Sequence, residues 1–124
     1  MIRSVGLDIV EIARVRRNME RFGDRFIYRI LGREETVQYG RRRNKEAYLA
    51  GRLAAKEAVI KGLGCFLKSR PPLKSIQIVN DTTGAPRLTL PTEVQRQLGA
   101  AGCVLSITHE KKYAAAVAVF EESS

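Results

Sequence analysis

The first apolar stretch of the chain predicts a strand followed by a basic helix. Residues 2–10 are rich in Val, Ile and Leu, which predicts a buried first strand that carries Gly6 and, unusually, Asp8. Across residues 11–22, apolar side chains recur at spacings of three and four, as on one stripe of a helix. The other faces of this helix are dense in arginine, so we expect its exposed side to be strongly basic.

The middle of the chain predicts helices only. Residues 25–31 and 34–39 fit two short helical pieces, and residues 44–63 fit a long helix that Asn44 caps and Gly64 closes. A second face of the long helix, beside its apolar stripe, carries small side chains: Ala50, Ala54 and Ala58. Another backbone or a ligand could approach this alanine face closely.

Two basic residues, Arg52 and Lys56, fall inside the apolar arc of the long helix. Long basic side chains can pack their stems on apolar surface while the charged tip stays in water. The pattern therefore favours packing with a solvated tip over a binding role for both residues.

The C-terminal half alternates in the manner of hairpins. Residues 75–80 and 87–90 predict one pair of strands around a turn rich in Asp, Thr and Gly. Residues 93–100 predict a short helix, and residues 103–108 and 113–120 predict two apolar strands. Because the helices are segregated from hairpin-type strand pairs, this order predicts an α+β fold, an antiparallel sheet with a long central helix.

Length and charge narrow the class of protein. The 124 residues fit one domain, residues 1–124. The 22 Lys and Arg against 13 Asp and Glu give a net charge of +9, which attracts nucleic acid, phosphorylated small molecules, acidic proteins or anionic membranes without choosing among them. Cys65 and Cys103 lack the close spacing of a zinc or redox pair, and no apolar run is long enough to span a bilayer. We therefore expect a soluble, cytoplasmic protein.

Two carboxylates occupy positions where charge is costly. Asp8 lies inside the predicted first strand, and Glu57 lies among alanines on the long helix. If they converge, a hard divalent cation such as Mg²⁺ would relieve their repulsion, with water and phosphate as its other ligands. The alternative is that Asp8 caps a backbone group and Glu57 pairs with Lys61 one turn along, and spacing alone favours this alternative.

The one histidine of the chain lies at the end of a predicted strand. His109 follows Thr108 and precedes Lys111 and Lys112. This corner could contact a phosphate, or the histidine could make structural hydrogen bonds only. The sequence contains no Walker loop, no dinucleotide glycine fingerprint and no metalloprotease helix motif.

Four blocks of sequence follow one another in a characteristic order. They are Gly6-Leu7-Asp8-Ile9-Val10 with Arg14, Leu49-Ala50-Gly51-Arg52-Leu53-Ala54-Ala55-Lys56-Glu57-Ala58 with Lys61, Asp81 with Gly84-Ala85-Pro86, and Leu105-Ser106-Ile107-Thr108-His109-Glu110 with Tyr113-Ala114. Together these blocks resemble the holo-acyl-carrier-protein synthase family across nearly the whole chain. One departure follows the long helix, where family members commonly carry Gly-Thr-Gly and this chain has Gly64-Cys65-Phe66.

The resemblance implies an enzyme that transfers the 4'-phosphopantetheine group of coenzyme A to a serine of an apo acyl carrier protein and releases adenosine 3',5'-bisphosphate. It implies Mg²⁺ as the cofactor, held by Asp8 and Glu57. It also implies that Lys61 stabilises developing charge and that the base is a metal-bound water, a water held by Glu57, or Glu57 itself. The predicted coenzyme A contacts are Arg52, Lys61, Gly84, Pro86, Thr108 and His109, with a basic residue from residues 41–45.

The resemblance further implies a homotrimer in which neighbouring subunits share each coenzyme A cleft. The alanine face of the long helix would offer a surface for the close approach of a neighbouring subunit. Acyl carrier proteins are acidic, so the basic face of the first helix is the predicted docking surface, at Arg14, Arg17 and Arg21.

The competing hypothesis is a small basic nucleic-acid-binding module that uses the clusters at residues 14–25 and 41–45. It leaves Asp8 and Glu57 unexplained, and the chain has few aromatic side chains for base stacking. We therefore expect neither nucleic acid nor membrane as a partner. Magnesium-dependent binding of coenzyme A would discriminate between the two hypotheses.

Overall fold

A long helix and a three-stranded antiparallel sheet form the centre of the structure. The computed structural model describes residues 1–123, whose elements are β1 (Ile2–Glu11), α1 (Ile12–Phe22), α2 (Asp24–Ile30), α3 (Arg33–Arg41), α4 (Lys45–Leu63), a 3₁₀ turn (Leu73–Ser75), β2 (Gln77–Asn80), β3 (Pro86–Thr89), α5 (Thr92–Leu98), β4 (Gly102–His109) and β5 (Tyr113–Glu121). The main sheet has the order β1-β5-β4, and β2 pairs with β3 in a separate hairpin. The predicted α+β fold with an antiparallel sheet is confirmed. Within these residues, no helix combines the length and the apolarity needed to cross a membrane.

Local signals account for two of the element boundaries. The Asn44 side chain accepts a hydrogen bond from the backbone N–H of Ala47 at 3.1 Å, as expected of the residue that caps α4. The predicted strand at residue 75 begins two residues later, because Leu73–Ser75 forms a 3₁₀ turn after two prolines. The Ser75 hydroxyl donates to the carbonyl of Pro72 at 2.7 Å and closes this turn.

The alanine face of α4 packs on the sheet of the same subunit. Ala50, Ala54 and Ala58 are fully buried, and the facing positions of β5 are also alanines: Ala114, Ala116 and Ala118. The expectation that this face serves a neighbouring subunit is therefore wrong. Small side chains on both elements instead let the helix and the sheet approach closely within one chain.

Strand β1 is buried on one side only, contrary to the sequence prediction. Val5, Leu7 and Ile9 are 56%, 64% and 65% exposed, because α4 covers only the other face of the sheet. Their partners across the ladder on β5 are Val119, Val117 and Ala115, which pair in turn with Val104, Ser106 and Thr108 of β4. Alternation would turn Val5, Leu7 and Ile9 inward, but the covered side of β1 carries Ser4, Gly6, Asp8 and Val10 instead, so the pattern points to the wrong face. We call this surface the open sheet face.

Lys56 is fully buried and Arg52 is only 5% exposed, so the predicted solvated tips are wrong. Lys56 is completely buried, and its ammonium group donates to the carbonyls of Ile30 and Leu73 and pairs with Glu35 at 2.5 Å. Burial lowers the pKa of Lys56, and the neighbouring Glu35 carboxylate opposes that shift. A solvated tip is impossible here because α2, α3 and the 3₁₀ turn close over the helix.

Glu35 is the partner that sequence reasoning missed. Its side chain is also completely buried, and it accepts hydrogen bonds from the backbone N–H groups of Gly32 and Ile78, each at 2.9 Å. Every polar atom of this buried pair therefore has a partner, which is the condition under which burying two charges is tolerated. The pair joins α3, α4 and β2.

The contact between β1 and α4 gives a direct test of the packing. A Cβ atom at Gly6 would lie 1.7 Å from the carbonyl oxygen of Ala58, so the Gly6→Ala substitution must push strand and helix apart. We expect it to lower the free energy of unfolding by about 1–3 kcal/mol or more. The matched control is Gly40→Ala in α3, where a Cβ meets nothing within 4 Å and should be neutral or stabilising by up to about 1 kcal/mol. Urea unfolding measures both, and equal stabilities would contradict the close contact.

Candidate active site

The two carboxylates singled out from the sequence line the same cleft. Asp8 comes from β1 and Glu57 from α4, and the cleft between them has a volume of about 570 Å³. Arg14 and Tyr113 also line it. The predicted convergence of Asp8 and Glu57 is thus present, because β1 runs directly beside α4.

Each carboxylate of this cleft has a basic partner. Lys61 donates to Asp8 Oδ1 at 2.9 Å and to the carbonyl of Leu7 at 3.0 Å. Arg70 donates to Glu57 Oε1 at 2.6 Å. The alternative pairing of Glu57 with Lys61 is therefore wrong, since β1 brings Asp8 to the lysine. Arg70 was missed because nothing in the spacing of a loop residue signals a contact with a helix.

The donor set suits a hard divalent cation. The side chains of Asp8 and Glu57 are 18% and 24% exposed, so both carboxylates are accessible from the cleft. Within residues 1–123, no cluster of three or more His, Cys, Asp or Glu side chains could hold a metal by itself. Two carboxylates with room for water and phosphate oxygens match Mg²⁺, which usually takes only one or two protein carboxylates.

A second, basic pocket lies elsewhere on the same subunit. It has a volume of about 490 Å³ and contains four of the predicted coenzyme A contacts, Arg52, Gly84, Pro86 and His109. Further basic and polar groups come from the segment before α4: Arg42, Arg43 and Asn44. The expected basic residue from residues 41–45 is thus present twice. Thr108 does not line this pocket and lies on the open sheet face, and Lys61 lies at Asp8 instead.

Arg52 is held rigidly at the wall of the basic pocket. Its guanidinium donates to the carbonyl of Ile78 at 3.0 Å and to Asn80 Oδ1 at 2.9 Å, and it lies 4.6 Å from the centre of the Tyr48 ring. These contacts fix the position of the Arg52 guanidinium, and among the described residues this guanidinium has no acidic partner. A fixed, unpaired guanidinium at a pocket wall is well suited to a phosphate group.

The turn that carries Gly84 and Pro86 is organised by one aspartate. Asp81 Oδ1 accepts hydrogen bonds from the backbone N–H groups of Thr83 at 2.9 Å and Ala85 at 3.1 Å, and its Oδ2 accepts from Arg87 at 2.7 Å. Hydrogen bonds from Thr83 and Arg87 lower the pKa of Asp81 to about 2, so the turn keeps its anchor at neutral pH.

The carboxylate cleft and the basic pocket have no lining residue in common within residues 1–123. One chain therefore carries two separate parts of the predicted site, which we call half-sites: two carboxylates with their basic partners in one, and a cluster of arginines with His109 in the other. The prediction that neighbouring subunits share each coenzyme A cleft stays a prediction, and the separation of the two half-sites within one chain is compatible with it.

The basic face of α1 continues into the carboxylate cleft. Arg14 lines the cleft directly, Arg17 pairs loosely with Glu11 at 3.3 Å, and the Arg21 guanidinium lies 5.1 Å from the Phe22 ring centre. Beside them, a hollow of about 320 Å³ is lined by Asn18, Phe22, Arg25, Phe26 and Arg29. This surface thus combines arginines with exposed aromatic area.

Comparison with known proteins identifies the family. Residues 4–118 match the 4'-phosphopantetheinyl transferase superfamily. The chain belongs to this superfamily. It is therefore a transferase, as the resemblance in the sequence implied, and the nucleic-acid-binding alternative receives no support from these matches.

Relatives match along almost their whole length. The holo-[acyl-carrier-protein] synthase of Chlamydia trachomatis is 38% identical over 117 residues, which are 94% of this chain and 98% of that protein. The crystal structure of the synthase from Neisseria meningitidis has a TM-score of 0.89 and 31% identity, over 98% of this chain and 100% of that one. The Helicobacter pylori synthase in complex with coenzyme A has a TM-score of 0.83 and 32% identity, over 94% and 99% of the two chains.

The loop after α4, where this transferase departs from the common Gly-Thr-Gly, has an apolar anchor. The Phe66 ring packs on Phe120 with centroids 5.9 Å apart, and the Arg3 guanidinium lies 5.5 Å from its centre. Gly64 is in ordinary right-handed conformation at φ −56°, so the loop starts as a continuation of the helix. Hydrophobic packing of Phe66 therefore orders a segment that lacks the second of the two usual glycines.

Proposed function

We propose that this protein transfers the 4'-phosphopantetheine group of coenzyme A to a serine of an apo acyl carrier protein, with Mg²⁺ as its cofactor. The observation that carries the proposal is the convergence of Asp8 and Glu57 on one cleft, in a chain that belongs to the 4'-phosphopantetheinyl transferase superfamily. The near full-length similarity to holo-[acyl-carrier-protein] synthases supports the choice of substrates.

In the proposed reaction, the serine hydroxyl oxygen attacks the β-phosphorus of coenzyme A. A new oxygen–phosphorus bond forms, the bond from that phosphorus to the bridging oxygen breaks, and adenosine 3',5'-bisphosphate leaves with the bridging oxygen and its electron pair. The serine proton passes to Glu57, directly or through a water molecule that Glu57 holds. Charge then develops on the leaving phosphate, and the ammonium group of Lys61 stabilises it.

Asp8 and Glu57 are the residues that would hold Mg²⁺, each beside its own basic partner, Lys61 or Arg70. When bound, Mg²⁺ supplies charge compensation for the pyrophosphate. Asp8 is already anchored by Lys61, so its carboxylate has little freedom to turn away from the cleft. The backbone of β1 and α4 thus orients both ligands before any substrate arrives.

The basic pocket is the proposed site of the adenosine 3'-phosphate. Arg42, Arg43 and Arg52 line this pocket together with His109. The turn that contains Gly84 and Pro86 would contact the adenine, because a glycine without a Cβ lets a flat ring lie against the backbone. Thr108 precedes His109 on β4 and lies on the open sheet face, and we propose that it contacts a phosphate from that face.

A homotrimer would unite the half-sites. The open sheet face leaves Val5, Leu7, Ile9 and Val104 more than half exposed, which is costly for an isolated subunit. If neighbouring subunits cover this face, the basic pocket of one can lie against the carboxylate cleft of the next. This arrangement explains why the two half-sites are separate within one chain.

The α1 surface is the proposed dock for the carrier protein. Arg14, Arg17 and Arg21 present positive charge on the route into the carboxylate cleft, where the serine must arrive. An acidic partner would be steered to this face, and the exposed Phe22 adds apolar contact.

Transfer is tested by intact mass. We expect an apo acyl carrier protein incubated with this protein, coenzyme A and Mg²⁺ to gain one phosphopantetheine, and EDTA to abolish the gain. Asp8→Asn and Glu57→Gln should each reduce the rate about 100-fold or more. Their folds should persist, since each change removes one partly exposed ion pair worth at most about 1 kcal/mol. The control is Glu46→Gln, which changes another glutamate of α4. Glu46 pairs at the surface with Arg16 of α1, and the variant should retain activity. Full transfer by either cleft variant would contradict the metal site.

Assembly is tested by sedimentation velocity. We expect a trimer for the native protein, and monomers for Leu7→Glu because a charge buried in an apolar interface is strongly unfavourable. Binding of coenzyme A should be lost together with the trimer. The control Val37→Glu adds the same charge at another exposed apolar residue, on α3, and should remain trimeric. A fully active monomer would contradict the shared site.

Docking is tested by charge reversal away from the cleft. Arg17→Glu with Arg21→Glu should raise the KM for the carrier protein about tenfold through repulsion, with the KM for coenzyme A unchanged. Lys74→Glu is a control with an exposed lysine outside the α1 surface, and it should alter neither constant. An equal rise in both KM values for the double variant would mean that α1 serves coenzyme A or the fold instead.

A further inference from the structure

Arg70 makes a contact that the proposed reaction does not use. Its guanidinium donates to Glu57 Oε1 at 2.6 Å, and this is the one hydrogen bond the structure gives its side chain within residues 1–123. The two side chains are 58% and 24% exposed. The pair is therefore partly in solvent, and it joins Arg70, which lines a neighbouring hollow with Pro71 and Pro72, to the carboxylate of the cleft that would hold the metal.

The backbone around Arg70 is anchored on both sides. Before it, Phe66 packs on Phe120 in the core. After it, the carbonyl of Leu73 accepts a hydrogen bond from the buried Lys56 at 3.1 Å. Pro71 follows directly and restricts the Arg70 backbone to extended conformations. The loop that carries Arg70 is thus held at both ends with Arg70 within reach of Glu57, and the long Arg70 side chain, 58% exposed, has room to change direction.

The cleft is balanced in charge when no metal is bound. Lys61 neutralises Asp8 and Arg70 neutralises Glu57, each through one direct contact. A divalent cation that takes both carboxylates must compete with both basic side chains. Once released, these side chains carry two positive charges at the edge of a cleft that would receive a pyrophosphate.

We propose that Arg70 is a positioning residue that exchanges partners: it holds Glu57 when the metal site is empty, and it passes to the pyrophosphate of coenzyme A when a divalent cation takes Glu57. This inference rests on the proposed function and adds a coupling between two ligands. Metal binding frees Arg70 for the phosphate, and phosphate binding draws Arg70 away from the metal ligand. By linkage, each ligand must then strengthen the binding of the other by the same factor.

Affinity measurements distinguish this exchange from a merely structural contact. Mn²⁺ replaces Mg²⁺ as the probe, and its binding is followed by electron paramagnetic resonance with and without coenzyme A. In Arg70→Gln the competitor is gone, so Mn²⁺ alone should bind about threefold tighter, as expected of a partly exposed ion pair. The enhancement of Mn²⁺ binding by coenzyme A should at the same time shrink by a similar factor. Opposite changes in the two quantities are the signature of the exchange.

Two further variants make the test specific. Lys68→Gln removes one positive charge from the same exposed loop, where Lys68 makes no hydrogen bond or ion pair among the described residues, and it should leave both quantities at their native values. Arg70→Lys keeps the charge with fewer donors and should restore much of the coupling. If Arg70→Gln matches the native protein in Mn²⁺ affinity and in coupling, or if Lys68→Gln changes them equally, the inference is overturned.

Failure of the proposed function would give a different result. In that case the native protein would bind no coenzyme A and transfer nothing, whatever residue occupies position 70. Failure of the exchange alone would leave native transfer and coenzyme A binding intact, with Arg70→Gln indistinguishable from native in Mn²⁺ binding. The native protein therefore tests the proposed function, and the comparison of Arg70→Gln with the native protein tests the exchange.

Discussion

The close contact between β1 and α4 is the constraint on which the rest of this structure depends. At Gly6 the strand lies so near the helix that a Cβ atom would come within 1.7 Å of the Ala58 carbonyl oxygen. Alanines on the facing side of α4 allow this approach. Because the two backbones run side by side, Asp8 and Glu57 face one cleft and Lys61 reaches back to the strand. The packing of small residues therefore creates the charged site.

A second constraint sets the rotation of α4 about its axis. Lys56 is held in the interior by Glu35 and by two backbone carbonyls, all of which lie outside α4. Successive side chains on a helix point about 100° apart, so an anchored Lys56 leaves Glu57 turned toward the cleft. A buried ion pair of this kind is not an efficient source of stability, but it admits few alternative arrangements. We therefore attribute the orientation of Glu57 in part to a fully buried pair that lines neither the carboxylate cleft nor the basic pocket.

The two pockets of this strongly basic protein differ in how their charges are paired. In the carboxylate cleft each acid has its own base, whereas in the second pocket Arg42, Arg43 and Arg52 converge with no acidic residue in the lining. The paired carboxylates suit a divalent cation, which can displace the basic side chains from them. The unpaired arginines suit a phosphate group, which binds positive charge. Under the trimer proposal, the open sheet face brings these opposite half-sites together between subunits.

Element order and many boundaries could be predicted from the chain, because caps, turn residues and apolar spacing act over a few residues, as Asn44 does for α4. Asp8 also stood out, since a charge amid apolar neighbours is visible in one dimension. The direction in which each face turns could not be predicted. The sheet covers the alanine face of α4, one side of β1 stays uncovered, and α2, α3 and the 3₁₀ turn enclose Lys56 with Glu35. The contact of Arg70 with Glu57 was hidden for the same reason. Partners that are far apart in the chain meet only after helix and sheet have packed, and the spacing of residues within one segment does not reveal that packing.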